Sequence, residues 1–119
     1  MKILIVDDNA KVRLLIRDYL PDLADEIYEC ADGEQAIRTY QQHRPDWVLM
    51  DHEMPRMNGL TATCKIITEF PNANICMVTA FDDEEIREEA FAAGVSRFVV
   101  KDNLYELESI LTNAVGQQH

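Results

Sequence analysis

The amino-acid sequence predicts an α/β domain of (βα)5 type, a doubly wound fold in which helices cover both faces of a five-stranded parallel sheet. Five short apolar segments alternate along the chain with five segments whose apolar residues recur at helical spacing. The apolar segments are nearly continuous, which is typical of strands that are buried on both faces. A chain of 119 residues without an internal repeat has the length of one such domain.

Each predicted strand is a short apolar run that ends at a polar residue or a turn. The first strand ends at Asp7, the third at Asp51, the fourth at Thr79 and the fifth at Lys101. The second strand is the weakest, because its polar and apolar residues alternate, and an Ala-Asp-Gly turn follows it. The predicted strands span residues 2–6, 26–30, 47–50, 74–78 and 95–100.

Each predicted helix has an apolar face and ends at a residue that disfavours helix. Pro21, Pro45 and Pro71 follow the first three helices, and Gly94 is a suitable C-terminal cap for the fourth. The predicted helices span residues 12–20, 34–43, 60–70, 82–93 and 104–115. The residues expected on the inward face of the first helix are Val12, Leu15, Ile16, Tyr19 and Leu20.

The composition excludes several classes of function. Asp and Glu number 22 against 11 Lys and Arg, so the net charge is −11, and such a chain repels nucleic acid and anionic membranes. No apolar run has the length of a membrane span or a signal peptide, so we expect a cytoplasmic protein. Cys30, Cys64 and Cys76 match no zinc-binding spacing and are expected to be reduced, partly buried thiols.

Polar residues follow four of the five predicted strands and should meet at one edge of the sheet, since ligands of open α/β sheets bind at the carboxyl ends of strands. They are Asp7, Asp8, Asp51, Thr79 and Lys101. Each has a simpler interpretation: Asp8 or Asn9 as a helix cap, Asp51 as a turn residue, Thr79 as a cap for the next segment, and Lys101 as a solvated charge.

Three crowded carboxylates repel each other, and Lys101 balances only one of them. A divalent cation would balance the remainder, and Mg²⁺ prefers carboxylate, water and phosphate oxygens. With Mg²⁺ and Lys101 neutralising phosphoryl oxygens, Asp51 is a candidate nucleophile, because carboxylates form acyl phosphates. The residues alone therefore indicate phosphoryl transfer to Asp51.

Taken together, these motifs resemble the receiver domain of two-component response regulators over essentially the whole chain. The residues that carry the resemblance are Ile5-Val6-Asp7-Asp8, the run from Asp51 to Gly59 (DHEMPRMNG), Thr79-Ala80, Ala93-Gly94 and Phe98-Val99-Val100-Lys101. The D-x-x-M-P-x-M-x-G run is the most specific of them. The resemblance implies a flavodoxin-like, CheY-like fold with strand order 2-1-3-4-5.

The resemblance also implies a role for each site residue. Asp51 would accept a phosphoryl group from a sensor histidine kinase or phosphotransfer protein. Asp8 would ligate Mg²⁺ directly, Asp7 mainly through water, and Asp51 and the backbone carbonyl of Glu53 would complete the protein ligands. Lys101 would pair with Asp51 and then with the phosphoryl group. Thr79 would bind a phosphoryl oxygen, and the switch aromatic Phe98 would turn inward when Thr79 moves.

The expected readout is a change in partner binding on the face made by the fourth helix, fifth strand and fifth helix, with dimerisation as one outcome. The receiver domain is expected to span residues 1–115, with 116–119 as a tail or the start of a linker to an output domain. The Lys101-Asp102 pair is similar to the branch with LuxR-type DNA-binding output domains, which implies transcription regulation. The receiver itself would assist its own phosphorylation and dephosphorylation without being an enzyme.

Five features depart from the family pattern or lie outside it. Asp102 replaces the proline that often follows the lysine, and Phe98 lacks the hydroxyl of a tyrosine, so burial alone must hold it inward. Glu53 is a solvated turn residue or a residue that tunes hydrolysis of the acyl phosphate. Phe81 is exposed packing or, by our hypothesis, a shield against water. The acidic run at 82–85 suits a helix N-terminus, and it could also select a partner.

Two alternatives remain at the level of sequence. A phosphatase of the haloacid-dehalogenase type also uses an Asp nucleophile and Mg²⁺, but it usually has a second Asp two residues later, where this chain has Glu53, and the chain has no room for a substrate cap. A pseudo-receiver that binds partners without phosphorylation is disfavoured, because all five residues at the sheet edge are present.

Overall fold

The computed structural model describes residues 1–116, and their five strands form one parallel sheet in the order β2-β1-β3-β4-β5. This confirms the predicted fold class and strand order. The strands are β1 (Lys2–Val6), β2 (Glu26–Cys30), β3 (Trp47–Asp51), β4 (Ile75–Thr79) and β5 (Arg97–Val100). The helices are α1 (Ala10–Asp18), α2 (Gly33–His43), α3 (Gly59–Glu69), α4 (Glu84–Ala93) and α5 (Glu106–Gly116).

Four helices begin where a short polar side chain caps the free backbone N–H groups. Asn9, Asp32, Asn58 and Asp83 are the N-caps of α1 to α4, and each accepts hydrogen bonds from backbone N–H groups of the first turn. Asp83 as a cap explains why α4 begins at Glu84 and not at the predicted Asp82. At the other end of α4, Gly94 adopts φ +112°, as expected for a C-terminal cap.

The last helix begins later than predicted. A single 3₁₀ turn at Lys101–Asn103 follows β5 directly, so Leu104 is buried ahead of the helix and α5 begins at Glu106. The predicted tail at 116–119 starts at Gly116, the last residue of α5, and residues 117–119 lie outside the described part of the chain.

The core consists of two apolar layers, one on each face of the sheet. Alternate residues of β1 serve the two layers, with Leu4 facing α2, α3 and α4 and Ile5 facing α1 and α5. Every residue of β3 and β4 is buried, as the nearly continuous apolar runs predicted. The two layers fix the central strands, whose carboxyl ends carry the polar residues.

Two predictions about buried side chains were wrong. In α1, Leu15 and Tyr19 are exposed, because the helix contacts the sheet along the narrower line of Val12, Ile16 and Leu20. In α3, Cys64 is exposed, because the buried face is made by Gly59, Ala62, Thr63 and Ile66. Cys30 and Cys76 are buried, and all three cysteines are free thiols.

None of the helices in residues 1–116 combines the length and the apolar character that crossing a bilayer requires.

Candidate functional site

The register of the sheet brings the predicted site residues to one edge. Val6 pairs with Met50, so the next residues, Asp7 and Asp51, leave adjacent strands at the same level. Asp51 pairs with Val78 and Thr79 pairs with Val100, so Thr79 and Lys101 follow at the same edge of the sheet. Five polar residues from separate parts of the chain therefore share the carboxyl ends of the four neighbouring strands β1, β3, β4 and β5.

Three carboxylates are crowded at this edge. One oxygen atom each from Asp7, Asp8 and Asp51 lies within 4.8 Å of the others. Asp7 and Asp51 are buried and Asp8 is exposed, so the cluster has one side open to solvent. Asn9, and not Asp8, caps α1, which leaves the Asp8 carboxylate at the site. We call these three residues the acidic cluster.

Lys101 bridges the two buried members of the acidic cluster. Its Nζ lies 2.8 Å from Oδ2 of Asp7 and 3.1 Å from Oδ1 of Asp51. Burial of the ammonium favours a lower pKa for Lys101, but the Asp7 and Asp51 carboxylates outweigh burial, and the net effect raises that pKa. Lys101 is thus held in its charged form and pairs with both acids, where the resemblance implied only Asp51.

The single positive charge of Lys101 does not balance the negative charges of the acidic cluster, and the pKa of Asp51 shows the effect of this imbalance. Its side chain is buried, and burial raises the pKa of its carboxyl to about 6, with the negative charge of Asp7 acting in the same direction. Lys101 opposes this rise without cancelling it. Asp51 is therefore a carboxylate whose charge is poorly stabilised by the protein alone.

The residues of the acidic cluster fit a hard divalent cation. Oδ1 of Asp7 accepts a hydrogen bond from the backbone N–H of Asn9, and the buried Oδ2 has Lys101 Nζ, 2.8 Å away, as its one partner among the described residues. A buried carboxylate oxygen in this state has capacity for a ligand. Three carboxylates with an open side provide the oxygen ligands and the room for water that Mg²⁺ requires.

The remaining predicted residues lie around this cluster. Thr79 is buried, and its Oγ1 accepts a hydrogen bond from the backbone N–H of Phe81 at 3.3 Å, which ties the β4–α4 loop to the end of β4. Phe81 is 49% exposed. The Glu53 side chain is exposed in the β3–α3 loop, and its carbonyl as a metal ligand stays a prediction.

Phe98 faces inward and is 7% exposed. Its environment corrects the expectation that burial alone holds it, because the guanidinium carbon of Arg87 lies 4.8 Å from the centroid of its ring. Nothing in the sequence indicates this contact, since Arg87 stands among the acids of α4 and eleven residues before Phe98.

Sequence reasoning also missed the role of Gly59. A Cβ atom at this position would lie 1.9 Å from the backbone carbonyl oxygen of Asp51, so the first residue of α3 is in direct contact with the backbone of Asp51. Only glycine allows this approach. The fixed place of glycine at the end of the D-x-x-M-P-x-M-x-G run was the available signal, but it does not reveal which atom is approached.

We expect Gly59→Ala to disturb the fold and the site together. The added methyl group must displace either α3 or the backbone of Asp51, so the free energy of unfolding should fall by at least about 2 kcal/mol. Urea denaturation measures the change. Cys64→Ala, at an exposed position of the same helix, is the control and should change stability by no more than about 0.5 kcal/mol. Equal stability of the Gly59→Ala and Cys64→Ala variants would contradict the close approach.

The pKa of Asp51 predicts how stability depends on pH in metal-free buffer. Below pH 3.8 the carboxyl is protonated in both the folded and the unfolded chain, so it favours neither. Between pH 3.8 and about 6 the folded chain retains a proton that the unfolded chain has lost, so the free energy of unfolding falls as pH rises. At pH 7, Asp51→Asn should be more stable than the wild type by on the order of 3 kcal/mol.

Denaturation over a pH series, with and without Mg²⁺, measures this effect. Mg²⁺ should stabilise the wild type at pH 7 and reduce the advantage of Asp51→Asn, because it binds the folded state. Asp102→Asn removes an exposed carboxylate next to Lys101 and should follow the wild-type profile. An Asp51→Asn profile parallel to the wild type at all pH values would show that Asp51 is not destabilised by its surroundings.

Comparison with known proteins agrees with this geometry. The sequence model of the response regulator receiver domain matches residues 3–112. The transcriptional regulatory protein YhcZ of Bacillus subtilis is 38% identical over 104 residues. That match covers 86% of this chain but 49% of YhcZ, so the chain spans about half the length of this relative.

Two solved structures give the same result for the fold. A LuxR-family response regulator from Aurantimonas has a TM-score of 0.88 at 29% identity, over 98% of this chain and 85% of that one. A chain in the CheX–CheY–BeF3–Mg²⁺ complex from Borrelia burgdorferi has a TM-score of 0.82 at 25% identity, over 100% of this chain and 90% of that one.

These comparisons do not support the phosphatase alternative. The family match extends over nearly the whole chain, and the strand order is the one that the resemblance implied. The chain belongs to the response regulator receiver domain family of two-component signalling proteins.

Proposed function

We propose that this chain is a phosphorylation-controlled switch in which Asp51 accepts a phosphoryl group from a phosphohistidine of a sensor kinase or phosphotransfer protein. The observation that supports this most strongly is the geometry around Asp51. It is a buried carboxylate in a site with one open side, paired with Lys101 and crowded by two further acids. A structural aspartate gains nothing from such surroundings, whereas a nucleophile with a raised pKa is typical of a reactive site.

The transfer requires one bond to form and one to break. A carboxylate oxygen of Asp51 attacks phosphorus while the bond from phosphorus to the histidine nitrogen breaks, and the histidine leaves with the electron pair of that bond. The product is an acyl phosphate on Asp51. Lys101, 3.1 Å from Asp51 Oδ1, is placed to pair with the phosphoryl oxygens once the carboxylate has been phosphorylated.

Asp7, Asp8 and Asp51 would hold Mg²⁺, with the backbone carbonyl of Glu53 as a further ligand. When bound, Mg²⁺ supplies positive charge that neutralises phosphoryl oxygens during in-line transfer. The chemistry of these oxygen donors supports this choice of metal, as does the buried Oδ2 atom of Asp7, which has room for an acceptor contact besides Lys101, its one partner among the described residues. The structurally similar CheX–CheY complex from Borrelia burgdorferi contains Mg²⁺, which supports the same choice.

Phosphorylation would be read through Thr79 and Phe98. A new dianion on Asp51 would attract the Thr79 hydroxyl, which now accepts a hydrogen bond from the β4–α4 loop, and the loop would move with it. Thr79 pairs with Val100, two residues from Phe98, so movement at the site reaches the face formed by α4, β5 and α5. This face would then change its affinity for a partner or for a second copy of the chain.

The output is proposed from the relatives. YhcZ is a transcriptional regulatory protein about twice as long as the match, and the Aurantimonas structure is of the LuxR family. We therefore propose that this receiver controls a LuxR-type DNA-binding domain. With a net charge of −11, the receiver would not itself contact nucleic acid.

Incubation with acetyl phosphate and Mg²⁺, followed by intact-mass spectrometry, tests the acceptor. We expect one phosphoryl adduct, absent in Asp51→Asn and present in the control Asp102→Asn. Phosphate release over many turnovers without an adduct would indicate a phosphatase. The absence of both an adduct and turnover would indicate a pseudo-receiver, and either result would overturn the proposal.

Phe81 should control how long the phosphoryl group survives. Its half-exposed ring stands two residues after Thr79, and its backbone N–H donates to Thr79 Oγ1, so it can shield the acyl phosphate from water. Phe81→Ala should shorten the half-life of the adduct severalfold, measured as its decay after the donor is removed. Phe91→Ala removes a ring of similar exposure from α4 and should leave the half-life unchanged. Equal decay rates in Phe81→Ala and the wild type would reject the shield.

A further inference from the structure

Arg87 of α4 lies against the ring of Phe98 on β5. Its guanidinium carbon is 4.8 Å from the ring centroid, within the range in which a cation is attracted to the face of an aromatic ring. Phe98 is buried in the layer that α4 covers, where it pairs with Met77 of β4. The contact therefore joins α4 to β5.

The surroundings of Arg87 make this contact notable, because acids dominate the helix. Asp83 and Glu84 stand one turn before Arg87, at the spacing of favourable ion pairs on a helix. Among the described residues, neither forms an ion pair with the guanidinium within 4.0 Å, and Asp83 Oδ1 is occupied by the N–H groups of Glu85 and Ile86. The guanidinium lies over the ring while carboxylates stand one turn away.

The position of α4 is tied to the candidate site. Residues 80–83 connect Thr79 to the helix, and the backbone N–H of Arg87 donates to the carbonyl oxygen of its N-cap Asp83 at 3.0 Å. On the other side, Phe98 lies three residues before Lys101. Arg87 thus lies on the helix that follows Thr79, and Phe98 lies on the strand that ends at Lys101, so both residues of the contact are connected to the candidate site.

We propose that Arg87 is a positioning residue that holds Phe98 inward through a cation–π interaction, in place of the hydroxyl that a tyrosine would offer. The inference rests on the proposed function, because it gives Phe98 the role of the switch aromatic. It adds that the inward position depends on the charge of one residue in α4.

Fluorination of Phe98 tests the electrostatic part of this proposal with little change in ring size. Incorporation of mono-, di- and trifluorophenylalanine at position 98 progressively removes electron density from the ring face and weakens its attraction for a cation. In the Arg87 protein, the unfolding equilibrium constant should rise stepwise, by about two- to fivefold in total. In Arg87→Gln the unfolding equilibrium constant should stay the same along the fluorinated series. In Arg87→Lys, which keeps a cation, the constant should still rise with each fluorine, but by less than in the Arg87 protein.

The position of the ring is measured separately, by ¹⁹F NMR of 4-fluorophenylalanine at position 98. The Arg87 protein should give one resonance, from the inward ring. Arg87→Gln should give a second resonance, from the ring turned outward. In Arg87→Lys this second resonance should be weaker than in Arg87→Gln. Arg97→Gln is the matched control, since it removes an exposed positive charge of β5 whose guanidinium hydrogen-bonds Ser96, and its spectrum should equal that of the wild type.

Equal fluorination slopes in the Arg87 and Arg87→Gln proteins, or a single unchanged resonance in Arg87→Gln, would overturn the proposal. Should Arg87→Gln not fold, the slope in the Arg87 protein compared with Arg87→Lys decides the question. Both measurements use the full chain without a phosphoryl donor or metal. If Asp51 did not accept a phosphoryl group, these results on Arg87 and Phe98 would still stand. If the cation–π interaction were not found, the proposal that Asp51 is the phosphoryl acceptor would be unaffected.

Discussion

The structure depends on how charge is balanced where β1 and β3 end. Asp7 and Asp51 are buried side by side because Val6 pairs with Met50, and Lys101 reaches both from the end of β5. Two buried carboxylates, a third at the open side and one ammonium leave a negative excess in a poorly solvated place. Burial, together with this excess, raises the pKa of Asp51, and the site is therefore suited to bind positive charge.

The rest of the fold keeps these groups in place and connects them to the surface. The fully buried β3 and β4 fix the register, and Gly59 allows α3 to begin against the carbonyl oxygen of Asp51. Thr79 links the site to the loop before α4, while Arg87 links α4 back to Phe98. On the proposed function, a change of charge at Asp51 would reach the surface through few contacts, because each of them joins two packed elements.

The sequence predicts the fold and the members of the acidic cluster for a simple reason: apolar runs ending in polar residues identify both the strands and the edge where ligands bind. It does not predict which helical faces are buried. Leu15, Tyr19 and Cys64 have the right residue type for a core, but α1 and α3 pack on the sheet through other residues and leave these three exposed. Nor does it predict that Lys101 bridges two acids or that Arg87 prefers a ring to nearby carboxylates, since both depend on side-chain positions in three dimensions.

Anomalous diffraction from crystals grown with Mn²⁺, an ion of the same charge with a similar preference for oxygen ligands, tests the central claim most directly. The account predicts one strong peak bounded by the carboxylates of residues 7, 8 and 51, with Lys101 still paired to the two buried acids. A fully ordered site with no peak at saturating Mn²⁺ would contradict it, because the protein would then tolerate the three acids without a divalent cation.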